Sequence, residues 1–312
     1  MPHWDHGDRA KSVVYIHGIG NKIVAPALKL EWDHALYARD LGQTSQMAYW
    51  ADIRYPEPLG SNNDLAPPIE TADSADVANF GSADETVAQI TSMAAYDGLD
   101  DPEAAAMFDS KFAHELIASE SLVMPQAETL AVDPTAPIPG LIREPGFWLV
   151  TKLFIPDAHA YFFNRQQRQG IQDRLRTVLE SAPKPVLIVA HSLGSIIAYD
   201  VLHEDRFADL HVAALLTFGS QLGVRAIQDR VRPPLEVPTP VLGGWHNYLD
   251  KNDRLPMGKL LKPFFVPHVI YDHWVDNPAP NNHDGVSYLE GGALQAAAHR
   301  AFPQESGLDA SG

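Results

Sequence analysis

One stretch of the chain has the residue types and spacing of a nucleophile. Val186-Leu187-Ile188-Val189-Ala190 is an apolar run suited to a buried strand, and it leads into His191-Ser192-Leu193-Gly194-Ser195. A helical pattern follows, carrying Ile196, Ile197, Val201 and Leu202. A serine on so tight a strand-to-helix turn is held in a strained backbone conformation, its hydroxyl lifted above the sheet at the positive end of the helix. Only small residues two positions either side avoid a strand–helix clash, and these are Ala190 and Gly194. A serine hydroxyl is a poor nucleophile near neutral pH, so it needs a base that is itself oriented by a third group. A second motif, His17-Gly18-Ile19-Gly20, ends the apolar run Val13–Ile16. Glycines after a strand also suggest a dinucleotide site, but there is no Gly-x-Gly-x-x-Gly here.

The elements around these motifs alternate between β-like runs and helical patterns, which predicts an α/β fold with a mostly parallel sheet flanked by helices. After the run Val13–Ile16, Leu28, Trp32, Ala35 and Leu36 form the stripe of an amphipathic helix that Gly42 is expected to stop. Gln46–Trp50 reads as the next strand. From about Arg54 to Pro145 the chain is rich in Pro, Ala, Asp and Ser, with a helix around Ala104–Ser119 and no evident strand. Loops of that length are rare in a compact domain unless they serve as lids or are disordered, so residues 54–145 read as an insertion. The core is then 1–53 and 146–312. A helix is expected across Ala158–Glu180 with the stripe Ile171, Leu175, Val178 and Leu179. Val212–Phe218, Trp245–Leu249 and His268–Val275 read as further strands, and Val286 to about Ala301 as the last helix.

The strand, Ala190-x-Ser192-x-Gly194 turn and helix together resemble the nucleophile elbow of the α/β-hydrolase fold, specifically its lipase and esterase members. Ala190 stands where the family more often has Gly. The resemblance implies a serine hydrolase cleaving carboxylic ester bonds through an acyl-enzyme, with the insertion as a cap or lid. In the family the loop after the first strand gives one backbone N–H to an oxyanion hole and the residue after the nucleophile gives the other. By position these are Ile19 and Leu193, with His17 and Gly18 beside the substrate. The family's order is Ser, acid, His. The acid belongs in Asp250-Lys251-Asn252-Asp253-Arg254-Leu255-Pro256, where Asp253 matches the family's acid turn and Asp250 is the alternative. Among 14 histidines, His283 lies between the last strand run and the last helix, as the family's base does. His273, inside the strand run, is the alternative; His299 reads as surface and His191 as local packing or hydrogen bonding. Acyl transfer, thioester, lactone or amide cleavage would use the same parts, as would a binding protein that keeps the fold without turnover.

Composition narrows the partners. The chain has 312 residues, enough for one large domain or two small ones. It has no cysteine, which removes disulfides, thiolate metal sites and cysteine nucleophiles. Its net charge of −17 repels nucleic acid and anionic membranes and modestly favours a neutral or apolar small-molecule ester. No signal peptide or run of the ~20 apolar residues a membrane span needs is visible, which reads as a soluble, cytoplasmic protein. His3, Asp5, His6 and Asp8 have metal-ligand residue types without a supporting motif, so neither metal nor cofactor is expected. The acidic run Asp97–Asp101 reads as a solvated face. Phe147, Trp148, Tyr161, Phe162 and Phe163 cluster where the insertion rejoins the core; they read as core packing or, for Phe147 and Trp148 above all, as the lining of an acyl or aryl pocket.

Overall fold

A computed structural model describes residues 9–61, 87, 88, 91, 95–122, 145–267, 269–278 and 282–303, with the side chains of 120–122 and 145–152 excepted. Six strands are present among them: β1 (Ser12–Ile16), β2 (Ser45–Ala48), β3 (Val186–His191), β4 (Val212–Phe218), β5 (Trp245–Asp250) and β6 (Ile270–Val275). They form one parallel sheet in the order β2-β1-β3-β4-β5-β6. The central strands are continuous apolar runs because both of their faces are covered. Val14, Ile16, Ile188 and Ala190 face one layer of core, while Val13, Tyr15, Leu187 and Val189 face the other.

Helices α1 (Ala25–Tyr37), α8 (Gly285–Glu290) and α9 (Gly292–Ala301) cover the second face. The first is covered by α5 (Arg165–Ser181) and α6 (Leu193–Leu202). Between β2 and β3 the chain also forms the short α2 (Ala51–Arg54), α3 (Pro102–Leu122) and α4 (Pro145–Phe162). No strand lies among the described residues of that segment. Its two long helices join through aromatic rings, with Phe112 stacked on Phe154 at 4.8 Å and Phe108 tilted against Phe162 at 5.7 Å. Short α7 (Arg225–Gln228) follows β4, and α3 is fastened to it: Glu115 accepts from the N–H groups of Arg225 and Ala226 at 2.9 and 2.8 Å. Lys111 pairs with Asp229, and the Arg230 guanidinium lies 4.3 Å from the Phe163 ring.

Several boundaries differ from the sequence expectation, each for a local reason. The first helix ends at Ala38, which takes a left-handed conformation (φ 56), rather than at Gly42. The second strand ends at Ala48, because Trp50 already caps α2. The expected helix Ala158–Glu180 is two helices, divided where the Asn164 side chain accepts from the Gln167 N–H at 3.0 Å and starts α5. The last helix breaks at Gly291. The acidic run is more than a solvated face: Asp100 accepts from the Arg165 N–H at 2.6 Å and Asp101 from the Ala104 N–H at 3.0 Å. Tyr161 and Phe163 are buried, and Tyr161 donates to Asp200 at 2.7 Å. No helix among the described residues is long and apolar enough to cross a membrane.

Candidate active site

The connections leave β1 towards β2 on one side and β3 towards β4 on the other, so the strand order reverses between β1 and β3. In open parallel sheets that reversal opens a crevice at the carboxyl ends of the strands. Ile16 pairs with Ala190 across it. Two residues further along each strand lie Gly18 and Ser192, so close that a Cβ on Gly18 would sit 2.7 Å from the Ser192 Cβ.

Ser192 has φ 52 and ψ −127, a region costing ~1–3 kcal/mol for a residue with a side chain. Val186, Leu187, Ile188 and Val189 offset this, since each is wholly buried and contributes about 1.5–3 kcal/mol. The turn is pinned locally as well: the Ser192 N–H donates to Phe218 O at 2.9 Å, and the Ser195 hydroxyl donates to Ser192 O at 2.6 Å. At Gly194 a Cβ would meet Ile16 O at 2.5 Å and His17 O at 2.7 Å, so only glycine lets α6 leave the strand here.

Ser192, His283 and Asp253 lie in one hydrogen-bonded line. His283 Nε2 is 2.9 Å from Ser192 Oγ, and Nδ1 is 2.7 Å from Asp253 Oδ2. A carboxylate can only accept, so Nδ1 carries the ring proton and the Nε2 lone pair faces the serine hydroxyl. Asp253 is buried but not starved of donors: Tyr288 donates to Oδ2 at 2.8 Å and the Leu255 N–H to Oδ1 at 3.2 Å. Burial and the Asp253 charge together raise the Tyr288 phenol well above its ordinary range, so it stays a donor. His191 donates from Nε2 to the carbonyl of His283 at 2.9 Å, tying the loop of the second histidine to the end of β3. Burial, with His283 and Lys22 nearby, holds the His191 imidazole neutral, well below its usual range. Asp284 caps α8 by accepting from the Ser287 N–H at 2.8 Å, which fixes His283 at the mouth of that helix.

The loop after β1 is fixed from both sides. His17 Nε2 accepts from the N–H groups of Trp50 at 3.0 Å and Ala51 at 3.3 Å, so its proton is on Nδ1, which donates to Gly18 O at 2.9 Å. Burial, then the nearby Lys22 charge, pushes this imidazole down to about 3. In a trans peptide the Ile19 N–H points opposite to the Gly18 carbonyl, so His17 sets the direction of that N–H. The Lys22 ammonium gathers the carbonyls of Ile19, Gly20 (3.2 Å) and Asn21 (3.4 Å). Asp157, wholly buried on α4, accepts from the Gly20 N–H at 2.7 Å, Arg54 Nε at 3.1 Å and the Tyr55 hydroxyl at 2.9 Å. Neither the Ile19 nor the Leu193 N–H meets an acceptor among the described residues.

Other sequence candidates stand elsewhere. Asp250 accepts from the N–H groups of Asn252 (2.6 Å) and Asn277, and braces its loop without touching His283. His273 stacks on Tyr248 at 4.8 Å, with Nε2 3.0 Å from His246 Nδ1. The His17 ring is occupied by backbone groups on both nitrogens, leaving it no polar atom for the substrate contact expected of it. The side chains of Phe147 and Trp148, and all of His3, Asp5, His6 and Asp8, lie outside the described residues. Sequence reasoning missed Tyr288, Lys22, Asp157 and Gln221. Asp157 had a signal, since a carboxylate in the apolar helix α4 must find buried partners. Comparison of the sequence with protein-family models and with curated proteins finds no match to either.

Proposed function

We propose that this protein is a serine hydrolase of the α/β-hydrolase type that cleaves carboxylic esters, with residues 54–145 as its cap. The observation that carries this reading is the line Asp253–His283–Ser192, ending on a serine held at φ 52 where the strand order reverses. Ser192 Oγ forms a bond to the ester carbonyl carbon as its proton passes to His283 Nε2. The carbonyl π pair moves onto oxygen, which the Ile19 and Leu193 N–H groups receive. Collapse breaks the bond to the alcohol oxygen, which takes the proton from His283. Water then repeats the sequence on the acyl-enzyme, and Asp253 holds the ring tautomer throughout. No cofactor enters this scheme.

Ser192 is wholly buried, so substrate enters only when groups packed over it move aside. A neutral or apolar ester fits the buried surroundings. Thioesterase, lactonase, amidase and acyltransferase chemistry use the same groups and differ in leaving group or acceptor.

A fluorophosphonate probe should label the wild type and leave Ser192→Ala unlabelled; an unlabelled wild type would favour a binding protein that keeps the fold. On p-nitrophenyl esters of rising chain length, His283→Ala should lose most turnover and His273→Ala keep the majority. The opposite ranking would remove His283 as the base.

A further inference from the structure

Gln221 lies three residues beyond β4, is wholly buried, and touches the proposed nucleophile. Its Nε2 is 2.7 Å from Gly219 O and 3.2 Å from Ser192 Oγ. A carbonyl oxygen can only accept, so the Gly219 contact fixes which end of the amide is nitrogen; the reverse orientation would press two acceptors together. One N–H serves Gly219 and the other is directed at Ser192 Oγ. The amide oxygen Oε1 is left buried with no partner among the described residues. Such an orphan is uncommon in a native interior, and an apolar side chain would fill the space without it. The donor end is therefore what this amide supplies here.

We infer that Gln221 is a further catalytic residue of the Ser192 site, donating to Oγ and stabilising the negative charge that gathers there as the hydroxyl proton passes to His283. The inference rests on the hydrolase reading above. With the amide N–H on one Oγ lone pair, the hydroxyl proton is left for His283 Nε2 at 2.9 Å. As the O–H bond breaks, Oγ becomes a stronger acceptor and the Gln221 bond tightens, so it favours the transition state over the ground state. In deacylation the bond between Oγ and the acyl carbon breaks, its electron pair returns to Oγ, and the same N–H steadies that oxygen until His283 reprotonates it.

The test measures the rate of Ser192 modification by a fluorophosphonate, with thermal melting, in wild type, Gln221→Met and Gln221→Glu. Met keeps the volume and has no donor. Glu keeps the shape but lacks the second donor in either protonation state, since a carboxylate has none and a carboxylic acid has one, which Gly219 O takes. Both variants should label roughly tenfold to a hundredfold more slowly, the loss of one hydrogen bond to a charged oxygen, while the melts show them folded at the assay temperature. A role in filling space alone would leave Glu, the closer mimic, near wild type; a Glu rate above a tenth of wild type overturns the inference, and does so even if the Met variant fails to fold. A labelled wild type with unaffected variants removes the inference alone, whereas an unlabelled wild type removes the hydrolase reading as well.

Discussion

Exchanging Asp253 for Asn probes the site with the smallest change of shape. Asp253 Oδ2 receives His283 Nδ1–H at 2.7 Å and the Tyr288 hydroxyl at 2.8 Å, while Oδ1 receives the Leu255 N–H at 3.2 Å. An amide has one oxygen for these two positions. If its nitrogen takes the Oδ1 place, it faces the Leu255 N–H, a backbone donor that cannot turn away. If it takes the Oδ2 place, it donates to His283 Nδ1 and drives the ring proton to Nε2, where it faces the serine hydroxyl and the base is lost. In a comparable triad the wrong tautomer removes ~10⁴ in kcat, equivalent to about 5 kcal/mol of barrier. The paired control is Asp250→Asn. Asp250 bonds the N–H groups of Asn252 and Asn277 and does not reach the ring, so its exchange sets an amide nitrogen against a backbone N–H and should lower the melting temperature, while costing kcat less than about tenfold in the folded protein. Turnover of p-nitrophenyl butyrate, measured well below each variant's melting temperature, gives both numbers. An Asp253→Asn enzyme that keeps more than a tenth of wild-type kcat, or an Asp250→Asn enzyme that loses as much, would refute this account of the carboxylate.

Gly194→Ala should abolish activity and lower the melting temperature, because its Cβ would lie 2.5 Å from Ile16 O and 2.7 Å from His17 O, both backbone atoms that cannot swing aside; an active, normally melting variant would show that α6 can shift. The protein should also be acid-labile. His17 and His246 are buried and pushed down to about 3, in each case chiefly by burial, with Lys22 adding at His17, and His273 and Arg300 at His246. Their unfolded forms titrate near 6.5, so the unfolded chain binds more protons between the two values. Stability is therefore full above about pH 6.5 and falls towards pH 3, by about 2 kcal/mol per site between pH 6.5 and 5. His191 acts in the same direction. Urea midpoints at pH 7.5, 6.5 and 5 measure this, and a midpoint unchanged at pH 5 would contradict it.

The parallel α/β architecture was legible in the sequence because buried strands announce themselves as short apolar runs, and Val186–Ala190 and Val212–Phe218 lie almost where those runs place them. The turn at Ser192 was legible for a related reason: its small neighbours answer a steric demand confined to a few residues. Helix ends were less so. The break at Asn164 depends on one side chain capping rather than continuing a helix, and the amphipathic stripe runs on past it. The partners of the site were illegible because they act across long separations in the chain. Nothing near Tyr288 signals that its hydroxyl reaches Asp253, 35 residues earlier. Gln221 meets Ser192 only because β3 and β4 are neighbours in register, which is a property of the sheet order. His17, expected beside the substrate, instead accepts from the backbone at Trp50 and holds the loop after β1.

Asp157 joins three parts of the chain in one buried carboxylate: Gly20 after β1, the α2 segment through Arg54 and Tyr55, and α4 on which it sits. On the proposed hydrolase reading, a change in α4 that shifts Asp157 therefore pulls on the peptide next to the one expected to receive the oxyanion. On that reading, such a change registers in turnover and not in affinity alone.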